Sequence, residues 1–112
     1  MPIQEWSDQI WVVRLLDEPA FSDELRPLID RMLAPDACPA LIIDLSEVSQ
    51  INSSNLSQLL RLRKAVADRD TELKIAGPTN AVWSVFMMTG LDKVFHFTSD
   101  TSTALAELQL HL

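Results

Sequence analysis

Ala40-Leu-Ile-Ile-Asp-Leu45, then Ser46 to Ile51, then Asn52-Ser-Ser-Asn-Leu-Ser-Gln-Leu-Leu-Arg-Leu62 is the stretch that decides the fold. The first six residues form a short apolar run between turn signals, the pattern of a strand buried on both faces. Ser46 to Ile51 reads as a linker. From Ser53 to about Asp68 the apolar residues Leu56, Leu59, Leu60, Val66 and Ala67 share one side of a helix. A doubly buried strand followed by a helix is the start of a parallel β-α-β unit.

Working outward, Ile10 to Leu16 is β-branched and apolar and predicts a strand. Ile3 to Trp6 can pair with it as a hairpin across Ser7-Asp-Gln9. Asp17-Glu-Pro19 breaks that strand, and Ser22 or Asp23 can cap a helix carrying Leu25, Leu28, Ile29, Met32 and Leu33. Pro27 then falls in its first turn, where a missing N–H is tolerated. On the other side, Glu72 to Ala76 is a strand stopped by Gly77-Pro78. A helix from Thr79 or Asn80 turns Val82, Trp83, Phe86 and Met87 inward, leaves Met88 off that side, and ends at Gly90. Val94 to Phe97 is a last strand, and a helix from Thr101 to about Leu110 faces Ala104, Leu105 and Leu108 inward. The order predicts one α/β domain over residues 1–112. Its sheet is open and mixed, with four or five strands and about four helices mainly on one side.

The chain has 112 residues, room for one core and no second. Its single Cys38 cannot form an intrachain disulfide. Sixteen acidic against nine basic residues give a net charge of −7, which repels phosphate backbones and anionic lipid heads. Nucleic acid and direct membrane insertion are therefore not expected as partners. No apolar run reaches the ~18 residues of a spanning helix, and the N-terminus lacks a basic, then apolar, leader. The expectation is a soluble, cytoplasmic protein.

Residue types that carry chemistry are sparse. The two histidines, His96 and His111, and the one cysteine have no metal-ligand spacing, and no serine has an evident histidine partner. His96 alternates with Phe95 and Phe97 and reads as a solvent-facing strand residue. His111 is assigned no function. Gly77 and Gly90 are the only glycines, too few for a phosphate cradle. Asp44 reads as a strand-end carboxylate that accepts loop N–H groups. No catalytic residue, metal or cofactor is expected, and the chain is not read as an enzyme. Arg61, Arg63, Lys64 and Arg69 form a basic cluster, read as a solvated face or as a docking patch for an acidic partner.

The four small polar residues Asn52-Ser-Ser-Asn55 exceed what capping one helix requires. Added negative charge is well tolerated in a first helical turn. A phosphate on Ser54 would bring about −1.5 to −2 charge there. The fold would survive it, and a partner lying over that turn would not.

The stretch Leu41 to Leu62 resembles the signature of the STAS domain family, found in sulphate transporters and anti-sigma factor antagonists. Ile75-Ala-Gly-Pro78 and Met88-Thr-Gly-Leu-Asp-Lys-Val-Phe95 resemble two later landmarks of that family. The family motif is Asp-Ser-Ser-Gly or Asp-Ser-Thr-Gly, whose second hydroxyl residue is phosphorylated. By position the resemblance implies Ser54 as phosphoacceptor, with Ser53 the lesser candidate. It implies partner contacts through Asn52, Ser53, Ser54, Asn55, Ser57 and Arg61. The implied partners are an anti-sigma factor that is also a serine protein kinase, and a phosphatase that reverses its action. Two positions depart from the motif: Asn52 replaces the aspartate and Asn55 the glycine. Asparagine can still cap and tolerates the left-handed conformation, but Asn52 lacks the charge. A constitutive STAS scaffold, docking without a phosphate switch in a stress-signalling complex or on a lipid-transporter ATPase, is the alternative. A small-ligand binder or weak nucleotide-using enzyme is the third reading, against which the near-absence of glycine and the lack of an acid–base pair argue.

Overall fold

A computed structural model of the chain describes residues 3–36 and 38–111, with the His111 side chain outside the description. The elements follow in the order β1 (Ile3–Glu5), β2 (Ile10–Arg14), α1 (Ala20–Leu33), β3 (Ala40–Asp44), α2 (Ser53–Ala67) and β4 (Leu73–Ala76). Then come α3 (Asn80–Thr89), a 3-10 turn (Leu91–Lys93), β5 (His96–Thr98) and α4 (Thr101–His111). The five strands form one mixed sheet in the order β1-β2-β3-β4-β5. β1 runs antiparallel to β2, and every later pair is parallel.

Side-chain alternation splits the strands between two layers. Val13, Leu15, Leu41, Ile43 and Ile75 point to one face, where α1, α2 and α3 add Phe21, Leu25, Leu28, Leu59, Leu62, Val82 and Phe86. Ile10, Ala40, Ile42 and Ala76 point to the other face, covered by Ala104 and Leu108 of α4. Every residue of β3 is buried, as the central strand of such a sandwich must be. The second face also holds Lys74, buried under α4 and paired with Glu107 at 3.1 Å.

Local chemistry shifts several expected boundaries. α1 begins at Ala20, and neither Ser22 nor Asp23 caps it. The Glu18 carboxylate, placed just before the helix, instead accepts the Ser22 N–H at 2.8 Å and the Ser22 hydroxyl at 2.6 Å. Pro27 therefore lies inside α1 rather than in its first turn, on the exposed side of the helix. Leu33 is exposed, because the inward stripe runs through Phe21, Leu25, Leu28 and Met32.

On α2, Leu60 and Ala67 face out while Leu62 and Ala65 face in. The helix is turned so that Asn55, Gln58 and Leu62 lie against its neighbours. Met87 on α3 is half-exposed for the same reason of phase, since Val82 and Phe86 set the inward line. The last strand starts at His96, later than Val94. The N–H groups of Val94 and Phe95 bond the Leu91 carbonyl in the 3-10 turn and are lost to the ladder. Phe95 still packs inward, edge-on to Phe86 at 5.7 Å between ring centroids. Gly90 takes the left-handed conformation (φ 76°) that ends α3.

Candidate functional site

The loop that carries Ser53 and Ser54 leaves β3 at Asp44, whose carboxylate accepts the Ser46 N–H at 2.9 Å. Arg14 lies 3.7 Å from the same carboxylate. Asp44 is thus a strand-end fastener. Further along, Asp17 accepts three hydrogen bonds, from the Ser49 N–H (2.8 Å), the Ser49 hydroxyl (2.6 Å) and the Gln50 N–H (3.3 Å). These bonds, the Ser49 hydroxyl foremost, hold the Asp17 carboxyl below the usual carboxylate range.

α2 then starts with a reciprocal pair of amides. The Asn55 N–H donates to Asn52 Oδ1 at 2.8 Å, and the Asn52 N–H donates to Asn55 Oδ1 at 3.0 Å. This is a capping box closed by two neutral side chains. The Asn55 amide nitrogen also donates to Glu18 Oε2 at 3.1 Å, tying the start of α2 to the start of α1. Behind it, Gln58 donates to the Ser22 hydroxyl at 3.2 Å. The Ser22 hydroxyl, the Ser22 N–H and the Asn55 amide hold the Glu18 carboxyl below its ordinary value, with Arg26 adding a smaller attraction. A half-open cleft of about 370 Å³ lies over this network, lined by Asp17, Glu18, Ser49, Gln50, Asn52 and Asn55, among others.

The six residues expected at a partner surface divide into two kinds. Asn52, Ser53, Ser54, Ser57 and Arg61 are exposed. Ser54, Ser57 and Arg61 fall on one stripe of α2, at spacings of three and then four. Asn55 differs from the expectation of a direct contact, because it is only 1% exposed and its amide is spent inside the fold. It does not use the left-handed conformation either; among the described residues that are not glycine only Asp70 has positive φ. At the third helical position an asparagine amide completes the box, which a glycine could not do.

The basic cluster is largely committed elsewhere. Arg63 donates to the Val94 carbonyl at 3.0 Å, and Lys64 pairs with Asp68 at 3.0 Å. Arg69 reaches the carbonyls of Met32, Ala34 and Asp36 at the exit of α1. Arg61 alone of the four has no hydrogen bond or ion pair among the described residues, so the docking reading narrows to it. His96 is exposed on β5. Among the described residues no group of three potential metal ligands comes together, and no helix is long and apolar enough to cross a membrane.

Asp17, Glu18 and Ser22 are not legible in the sequence as site-supporting residues. A signal does exist for two of the side chains on α2: Asn55 and Gln58 sit three apart on its inward side, where polar side chains need buried partners.

A family model described as STAS domain matches residues 19–104. Among solved structures, a Thermotoga maritima protein provisionally assigned as an anti-sigma factor antagonist shares 19% identity. It has a TM-score of 0.82, over 96% of this chain and 93% of that one. A serine-to-glutamate variant of Moorella thermoacetica RsbS shares 19% identity, with a TM-score of 0.77 over 97% and 96% of the two chains. The anti-sigma factor antagonist SpoIIAA in its unphosphorylated form shares 15%, with a TM-score of 0.75 over 91% and 90%. The phosphorylated form of Bacillus SpoIIAA shares 18%, with a TM-score of 0.69 over 91% and 94%. At these identities the likeness establishes the fold.

Proposed function

The chain belongs to the STAS domain family, and on that premise we propose that it is an anti-sigma factor antagonist-like regulator. It presents the first turns of α2 to an anti-sigma factor of the serine-kinase type. Ser54 is the phosphoacceptor, with Ser53 the lesser candidate, and Asn52, Ser57 and Arg61 complete the contact surface. A phosphatase restores the binding form. One observation carries this reading: two exposed serines open α2, over a loop fastened from beneath by Asp17, Glu18 and Asn55, in a first turn holding no acidic residue.

Magnitudes explain why a phosphate there acts on the interface and not on the fold. A negative group at a helix N-terminus is favoured by about 0.3–1 kcal/mol. The same group trapped unpaired under a partner costs several kcal/mol of lost hydration. The fold tolerates the dianion while the complex does not. SpoIIAA, similar in fold, is known in unphosphorylated and phosphorylated forms, which supports a STAS fold carrying phosphate intact.

The second reading, a constitutive scaffold, is favoured by Asn52. The family motif has a carboxylate at that position, and here a neutral amide closes the box. Affinity capture from native lysate separates the two readings, with the wild-type chain and Ser54→Asp as parallel baits and mass spectrometry to identify what is bound. A serine-kinase anti-sigma factor recovered by wild type and lost with Ser54→Asp is the expected result. The same scaffold or ATPase recovered equally by both baits would remove the switch.

A further inference from the structure

Helix α2 is basic in an acidic molecule. From Ser53 to Ala67 it holds three bases, Arg61, Arg63 and Lys64, and no acid, although acids outnumber bases sixteen to nine over the chain. Two of the three are spent within the fold, Arg63 on the Val94 carbonyl and Lys64 on Asp68 just past the helix end. The base left over is Arg61, which is exposed.

Position explains why Arg61 is left over. Ser54, Ser57, Arg61, Lys64 and Asp68 lie along one stripe at spacings of three and four. Lys64 takes the acid at the C-terminal end of that stripe and sets a like charge beside Arg61. Helical side chains lean toward the N-terminus, so the Arg61 arm runs away from Asp68 and toward Ser57. It meets no anion there, because the first turn of α2 has none. The hydroxyls at this end are uncommitted too. Ser84 and Thr89 on α3 each donate back to a carbonyl four residues earlier, at 2.9 Å. Among the described residues no such bond holds Ser54 or Ser57.

We propose that a phosphate on Ser54 is gripped by the chain itself, through the Ser57 hydroxyl one turn on and the Arg61 guanidinium one turn further. The inference rests on the reading of Ser54 as phosphoacceptor and names how that phosphate acts. About 10.5 Å of helix axis separates residues 54 and 61. The phosphoserine covers the start of that span, and the Ser57 hydroxyl donates to a phosphate oxygen midway. The N-terminal lean of the arginine closes the rest. A guanidinium can take two phosphate oxygens at once, where an ammonium acts as a point charge. The consequence is a switch with two parts. Unmodified, the stretch from Ser54 to Arg61 carries +1 and offers an arginine to an acidic partner surface. Phosphorylated, it carries about −0.5 to −1, since the phosphate brings about −1.5 to −2. The arginine is withdrawn in the same event. One modification thus removes a favourable contact and adds an unfavourable one.

The test needs no kinase. Phosphoserine is installed at position 54 of the full chain by semisynthesis, and the second pKa of its phosphate, ordinarily about 6, is read by phosphorus NMR. Arg61→Gln is expected to raise that pKa by about 0.2–0.7 unit, the range of an exposed ion pair. Arg61→Lys keeps the charge without the fork and should recover only part of the difference. Ser57→Ala should raise the pKa by a smaller step. The rival cation is Arg26 on α1, exposed and near enough to attract Glu18. Arg26→Gln should leave the phosphate unmoved. A pKa equal in the phosphorylated parent and Arg61→Gln would overturn the grip, and so would one that answers to Arg26→Gln instead. Phosphosite mapping of the chain from its native cell tests the Ser54 reading separately. Phosphate found only elsewhere would sink that reading, while the titration still decides the grip.

Discussion

Asn55 and Phe86 hold comparable places: each is buried on the inward side of a helix that follows a parallel strand and a capped loop. Asn55 is held by directional bonds to Asn52 and Glu18, and Gln58 behind it by a bond to Ser22. Phe86 is held only by packing, edge-on to Phe95 and to Phe97 at 5.0 Å. The start of α2 is thus located by hydrogen bonds that reach across to α1, and the body of α3 by apolar area, with a single hydroxyl bond from Thr79 to the Val48 carbonyl at its start. Hydrogen bonds fix where a backbone lies, and apolar contact fixes mainly that it is covered. The region that carries Ser53 and Ser54 is the one positioned by bonds.

Truncation at the packed site should have the largest effect. Phe86→Ala is expected to lower the unfolding free energy by about 3–5 kcal/mol, read from urea denaturation, because a fully buried ring leaves a cavity. A loss under about 1 kcal/mol would mean that α3 is not held by packing. Next, Asn55→Gly restores the family's residue yet should destabilise by about 2 kcal/mol. It removes the amide bonds to Asn52 and Glu18 and adds glycine's helix penalty. An unchanged midpoint would show that the box contributes nothing.

The smallest effect is the most specific. Glu18 and Asp17 have depressed folded-state values, so the stability they contribute is fully present above the ordinary carboxylate range. It is lost as pH falls from there through their lower folded values. Glu18→Gln should therefore flatten the acid limb of stability against pH, while Phe86→Ala lowers the whole curve without changing its shape. An acid limb equally steep in Glu18→Gln would place the pH dependence elsewhere.

The element order and the sheet were legible because both follow from short-range patterns. β3 announces itself by four consecutive apolar residues, Ala40 to Ile43, and α3 by its threonine start and glycine stop. The helical phase of α2 was less legible. Reading Leu60 as inward assumed that the buried side is the most apolar one, whereas Asn55 and Gln58 claim it through partners on α1. Glu18 lies 37 positions from Asn55, and no local spacing announces a bond over that distance. The cap of α1 is illegible for the same reason, since Glu18 serves both helices at once.

Sheet order in this chain repeats chain order, so each strand from β2 onward pairs with the one synthesised just before it. No strand waits for a distant partner, which keeps loop closures short and folding fast for a parallel sheet. A chain emerging from the ribosome can therefore lay down β1 to β5 in succession and close the layer of α1, α2 and α3 as it goes. Ile10, Ala40, Ile42 and Ala76 stay bare on the opposite side until Thr101 to His111 emerge. The one element made after all five strands is the one that shields their open face from neighbouring chains.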